Sequence, residues 1–182
     1  MNKLNGQNVT IEWLEEFHGN DLEDLCNATE EAIVDGNGFG WLKLPQRQVL
    51  ENFWRGVLLV PQRRLMVARL DGAIVGSAQL VKPAANNEAG AFAVELMTFF
   101  LAPWARGHNL GAGMITVIAD VARAEGYRIL EFDVRATQLA GIRLAEQMNF
   151  KLWAAKEKYA FVDGEYVAGH YYSLDLVDPA QE

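Results

Sequence analysis

The chain has 182 residues, 51% of them hydrophobic and 22% charged, which supplies a sizeable core and excludes a disordered or fibrous chain. A formal net charge of −8 argues against non-specific binding to nucleic acid or to anionic membrane, since both need a basic face, while leaving room for one local anion site. The single cysteine, Cys26, rules out an intramolecular disulfide and a four-cysteine zinc site, and His18, His108 and His170 form no HxH or HExxH spacing, so no buried metal site is expected, although carboxylates could still hold Mg²⁺.

The first residues, MNKLNGQNVTIEW, carry no apolar core of roughly 7–15 residues, so no signal peptide is expected. No run of about 18 apolar residues predicts a membrane span, and the expected location is the cytoplasm. With no repeat and no linker, residues 1–182 read as a single domain.

In chain order, residues 8–13 alternate apolar and polar and predict a first strand. Asn20 or Asp21 begins a helix with Leu22, Leu25, Cys26, Thr29 and Ile33 inward, acids in its first turn, and an end before Gly36 and Gly38. Pro45 suits the start of a second helix, about 46–59. Two strands around Asp71-Gly72 form a hairpin across 64–81, and 84–90 is a polar tip. Residues 91–101 form a long apolar strand ended by Pro103. After the Gly-rich segment RGHNLGAG, a helix over 111–125 carries Met114, Val117, Ile118 and Val121 at helical spacing and closes at Gly126. Residues 128–134 predict a strand buried on both faces, 138–148 a short helix, and 150–162 and 166–176 two strands around Asp163-Gly164. The order βααβββαβαββ implies an α/β fold, a mixed sheet with helices on both faces.

The segment 101–115, LAPWARGHNLGAGMI, is the most informative. A strand ends, small residues turn the chain, and the free N–H groups of a first helical turn point outward. That is an anion site, most often for phosphate, with Arg106 adding local positive charge. It lacks the GKS or GKT of a P-loop and the GxGxxG spacing of a dinucleotide fold.

On these residues the chain resembles the GNAT superfamily of N-acetyltransferases, whose acetyl-CoA motif is an apolar strand followed by Arg-x-x-Gly-x-Gly opening a helix. Arg106 and Gly111 match, and Asn109 stands at the first motif glycine, where Asn is the next best residue for a left-handed backbone. The resemblance continues through RILEFDVRATQLAGIRLAEQMNF: Val134, Leu144, Glu146 and Phe150 fit, Gln138 takes the usual Asn position, and Gly141 and Asn149 depart from the pattern. The spacing of strand 64–81, the DG turn and the ending DGEYVAGHYYSLDL also look like the tabtoxin-resistance type of small-molecule acetyltransferase.

The resemblance implies a cofactor site in which amides among Gly107, His108, Asn109, Leu110, Gly111 and Ala112 hold the acetyl-CoA pyrophosphate. The main chain of Phe99 and Leu101 would pair with the pantetheine arm. Arg106 and Gln138 complete the expected cofactor set. The base is expected at Glu95, a charged residue between apolar neighbours, with Asp133 the second candidate. The alternatives are a solvent-facing or Arg-paired Glu95 and an Asp133 that ties down a loop.

The family's acid, a Tyr, is replaced by Ala145. A thiol of pKa near 8.5 leaves as thiolate unaided, or a hydroxyl of Tyr159, Tyr171 or Tyr172 substitutes; the acid stays unassigned, with Tyr172 carried forward. His108 reads as a turn residue and Cys26 as core. Phe39, Trp41, Phe53 and Trp54 either shape the acceptor pocket or pack as loop and helix core. The expected activity is acetyl transfer from acetyl-CoA to the primary amine of a small molecule, with a protein N-terminus or lysine left open as acceptor and a homodimer allowed. The alternative is an acyl-CoA-binding module without turnover.

Overall fold

The computed structural model describes residues 2–4, 7–36 and 40–177. Its elements are β1 (Asn2–Leu4), β2 (Gln7–Leu14), α1 (Asp21–Val34), α2 (Arg47–Leu59), β3 (Arg63–Leu70), β4 (Ala73–Val81), β5 (Ala93–Leu101), α3 (Leu110–Ala124), β6 (Ile129–Arg135), α4 (Leu139–Gln147), β7 (Lys151–Val162) and β8 (Glu165–Asp175). The predicted order holds, and β1 is an addition that three residues could not announce by period. Parallel and antiparallel pairing coexist, giving the mixed sheet of an α/β fold. The chain divides into two compact units, Met1–Val81 with Met97–Met114 and Lys82–Leu96 with Ile115–Glu182, so β5 and α3 each contribute to both.

In the first unit the antiparallel strands run in the order β1-β2-β3-β4. Asp71 (φ 49°) and Gly72 (φ 93°) make the tight turn of the β3–β4 hairpin, and both left-handed residues match the twist of the strands they join. Strand β4 is buried from Ile74 through Leu80, as expected of a strand covered on both faces. Helix α1 buries Leu25, Cys26, Ala28, Thr29, Ala32 and Ile33; predicted Leu22 is only half-buried. Burial pushes the Cys26 thiol up to about 11, so it is an inert core side chain, as read from the sequence. Trp54 of α2 is fully buried, and its Nε1 donates to Thr29 Oγ1 at 3.1 Å while Thr29 donates to the Leu25 carbonyl at 2.6 Å. This chain of donors satisfies two polar groups inside the core. At the start of α1, Asp21 accepts from the His18 amide at 3.1 Å and from Arg69 of β3 at 2.6 Å.

In the second unit β5 pairs parallel with β6 over three residues, Ala93↔Ile129, Val94↔Leu130 and Glu95↔Glu131, with α3 in the long crossover that parallel pairing requires. Strand β6 then pairs antiparallel with β8, and β8 with β7. Gly126 (φ 88°) ends α3, with the Tyr127 amide reaching back to the Ala122 carbonyl at 3.0 Å. The expectation of burial on both faces of β6 is corrected: Leu130 alone is buried and Asp133 is exposed. The strand alternates, with Glu131, Asp133 and Arg135 on one face and Leu130, Phe132 and Val134 on the other.

Candidate active site

The first unit builds the turn that leads from β5 into α3. Strand β5 ends at Leu101, the Ala102 amide bonds to the Val75 carbonyl of β4 at 2.8 Å, and Pro103–Ala105 make one 3-10 turn. Gly107 (φ 82°) and Asn109 (φ 56°) are both left-handed, so Asn109 adopts the conformation expected of it. Helix α3 begins at Leu110, and the Gly113 amide bonds back to the Asn109 carbonyl at 3.1 Å. His108 is a turn residue: its Nδ1 lies 3.1 Å from both the Ala105 and Arg106 carbonyls, a position that puts the proton on Nδ1.

The charge at this turn differs from the sequence reading. The Arg106 guanidinium donates to Asp35, the residue that caps α1, at 2.7 Å, and to the Leu101 carbonyl at 3.3 Å. Arg106 is therefore neutralised rather than presented as a free cation. Just before it, Trp104 Nε1 donates to Glu31 of α1 at 2.6 Å. Neither carboxylate was signalled by sequence, because each lies more than 70 residues from its partner.

Two features of β5 shape its far half. Thr98 has φ 50°, a left-handed conformation that is strained for a β-branched residue, and its carbonyl accepts from Ser77 Oγ at 3.4 Å. A Cβ on Gly76 of β4 would strike the Phe100 carbonyl, so glycine permits the close approach of the two backbones there. Phe99 and Leu101 are half-buried beside buried Phe100.

The second unit carries the predicted proton-handling residues. Glu95 is exposed, directly across from Glu131, and Asp133 follows two residues on along the same face of β6. Glu131 was missed by the sequence reading, although the alternation of ILEFDVR signals it. Tyr171 pairs with Asp133 across β6 and β8, and the Tyr159 hydroxyl of β7 donates to Asp133 Oδ2. Burial first, then the Asp133 carboxylate, push the Tyr159 hydroxyl above its ordinary range and keep it protonated. Gly169 makes the contact possible: a Cβ there would run into the Tyr159 ring.

Tyr172 lies on the opposite face from Tyr171. It is 2% exposed and stacks on Phe132 with centroids 5.3 Å apart and planes 10° from parallel; Phe132 in turn meets Phe150 edge-on at 5.0 Å. Burial, then the charge of Glu146, raise its pKa. Ala145, at the position where a Tyr was expected, is buried, and Gln138 caps the start of α4 without a side-chain capping bond.

Of the aromatics weighed for an acceptor pocket, Trp54 is core, Trp41 and Phe53 are half-buried and meet edge-on at 5.2 Å, and Phe39 lies outside the described residues. An open groove of about 590 Å³ runs along α1 and α2, lined by Glu23, Glu30, Glu51 and Arg47 among others, and contains none of the predicted site residues. Among the described residues no group of three His, Cys, Asp or Glu is placed to hold a metal ion, and no helix is long and apolar enough to cross a membrane.

The profile of the acetyltransferase (GNAT) family matches residues 22–150. A curated relative, an uncharacterized N-acetyltransferase in the hisH-hisA intergenic region of Azospirillum brasilense, is 52% identical over 147 residues, covering 81% of this chain and 85% of that protein. An N-acetyltransferase from Staphylococcus aureus Mu50 has a similar solved structure, with TM-score 0.79 and 20% identity over 93% of this chain and 99% of that one. A Salmonella typhimurium protein assigned as an acetyltransferase, solved with its cofactor acetyl-CoA, has TM-score 0.74 and 17% identity over 94% of this chain and 95% of that one. At such identities the solved structures speak for the fold, while the profile spans most of the chain and includes the left-handed turn at 107–109 and the start of α4. The helix-opening turn, the element order and the matched sequence agree: the chain belongs to the acetyltransferase (GNAT) family.

Proposed function

We propose that the chain transfers an acetyl group from acetyl-CoA to the primary amine of a small molecule, with residues 1–182 acting as one acetyltransferase domain. The observation that carries the reading is the turn between β5 and α3, where left-handed Gly107 and Asn109 lead into a helix N-terminus in a chain of the GNAT family. The residues present fit a pyrophosphate: space lies open beside Gly107, and the first turn of α3 supplies amides. The acetyl-CoA in the Salmonella typhimurium structure supports the choice of co-substrate.

In this reading amides from Gly107 through Ala112 hold the pyrophosphate, and the main chain of Phe99 and Leu101 aligns the pantetheine arm. Arg106 orients the turn, and the Gln138 amide adds a contact. The bound thioester supplies an activated acetyl group. Glu95 takes the proton of the ammonium so that the nitrogen lone pair is free to attack, with Asp133 as the second candidate. The net charge of −8 and the carboxylates Glu95, Glu131 and Asp133 favour a cationic acceptor over an anionic one. Tyr172 remains the candidate acid, although its burial favours a packing role, and a thiolate leaves without help. The reading includes a cytoplasmic location. Exposed Leu152, Trp153 and Phe161 on β7 support a homodimer through the late strands.

Thiol release from acetyl-CoA in the presence of a panel of small amines tests the activity. Gly111→Val tests the site, because a branched side chain blocks the approach of a ligand to the backbone. We expect a loss of acetyl-CoA affinity of about tenfold or more, of the size of one or two charged hydrogen bonds. Unchanged affinity would remove the turn from the site. A second reading, a binding module without turnover, is favoured by buried Ala145 where a Tyr was expected, and predicts tight acetyl-CoA binding with no thiol release for any amine.

A further inference from the structure

We infer that the C-terminal end of α1 latches the anion-binding turn, with Glu31 and Asp35 as positioning residues for acetyl-CoA; the inference rests on the reading of that turn given above. Glu31 and Asp35 are four residues apart and so share a face of the helix end. Glu31 Oε2 accepts from Trp104 Nε1 at 2.6 Å, and Asp35 Oδ2 accepts from Arg106 Nη1 at 2.7 Å. The second guanidinium nitrogen donates to the Leu101 carbonyl at 3.3 Å. One planar cation thus joins the end of β5, the entry of the turn and the cap of α1, a geometry that the fork of an arginine supports and the point charge of a lysine does not.

The placement of these bonds explains why they are needed. Arg106 immediately precedes Gly107, the first left-handed residue of the turn, and Trp104 lies three residues before it. Glycine occupies left- and right-handed regions with similar ease, so nothing in Gly107 itself selects φ 82°. A cradle of amides works only when each donor is held near its productive position. The latch fixes the chain on the entry side of Gly107, the His108 ring bridges the Ala105 and Arg106 carbonyls within the turn, and α3 fixes the exit. Charge points the same way. A guanidinium already paired with Asp35 offers little net charge to a diphosphate, so Arg106 acts through geometry and the amides do the binding.

Both carboxylate contacts are partly exposed, and such pairs add little to global stability. A positioning role is therefore separable from a structural one. The test measures acetyl-CoA affinity by calorimetry and melting temperature for the full chain, for Asp35→Ala, for Glu31→Ala and for Asp35→Glu. We expect each alanine variant to bind about 3- to 10-fold more weakly, the range of one hydrogen bond, with the melting temperature nearly unchanged and Asp35→Glu recovering most of the loss. Unchanged affinity in the alanine variants overturns the latch. Tighter binding by Asp35→Ala overturns it too, by showing that Asp35 competes with the diphosphate for Arg106. A loss that tracks a falling melting temperature and is not recovered by Asp35→Glu reduces the contacts to scaffold and likewise overturns it. If the unaltered chain binds no acetyl-CoA, the functional reading itself fails and takes the latch with it; binding by the unaltered chain and equally by the variants sinks the latch alone.

Discussion

Glu95, Glu131 and Asp133 are three carboxylates on one face of neighbouring strands, and their surroundings separate them. Asp133 accepts the Tyr159 hydroxyl, so one of its oxygens is already engaged. Glu95 is exposed on a strand whose adjacent residues, Val94 and Leu96, are buried, and this leaves it the better proposed base. Glu95→Gln should lower turnover by about 10²-fold or more while acetyl-CoA affinity stays within about threefold. A turnover rate that holds across pH in the variant removes Glu95 from that role. Asp21 illustrates a carboxylate kept for stability. The hydrogen bond from Arg69 holds its carboxyl below the usual carboxylate range, so the folded state prefers the charged form. The stabilisation is complete above about pH 4, the ordinary value, and disappears as pH falls through the lower folded value. Asp21→Asn should cost about 1.5–3 kcal/mol at pH 7, and the gap to the unaltered chain should narrow below pH 4. Urea midpoints at pH 7 and pH 3 check the sign; a gap of equal size at both would contradict it.

At the scale of elements, the hairpins were legible because their signal is local. Asp71-Gly72 and Asp163-Gly164 both adopt left-handed pairs, at φ 49° and 93° and at φ 50° and 87°, as the dipeptides predict. The irregularities inside strands were not legible. The left-handed Thr98 in β5 breaks residue preference, and the shift in register between Lys156 and Ala160 places Tyr159 over Gly169 of the neighbouring strand. Gly169→Ala should destabilise the chain by about 1–3 kcal/mol through overpacking against the Tyr159 ring. In a Tyr159→Ala background the same substitution should cost less than about 0.5 kcal/mol, since the clashing ring is gone. A double-mutant cycle with no coupling between the two positions would show that the ring is not what excludes a side chain at 169.

Across the whole molecule, the element order and the left-handed turn that opens α3 could be read in advance because their residues are consecutive. Period, turn dipeptides and a Gly-rich helix entry are properties of short stretches, and short stretches carry them whatever the rest of the chain does. The sequence by itself also excluded an intramolecular disulfide, and it carried the acidic balance and the likeness of segment 101–115 to an acetyl-CoA motif. What the tertiary structure decided is which charges meet. Asp35 and Glu31 reach the turn from α1, Glu131 faces Glu95 across a parallel pair, and Tyr159 reaches Asp133 from β7. It also decided which face of β8 is buried: Tyr171 pairs with Asp133, while Tyr172 is buried on the other side. Pairings of this kind depend on strand register and on chain closure over tens of residues, so they exist only once the fold has brought the partners together.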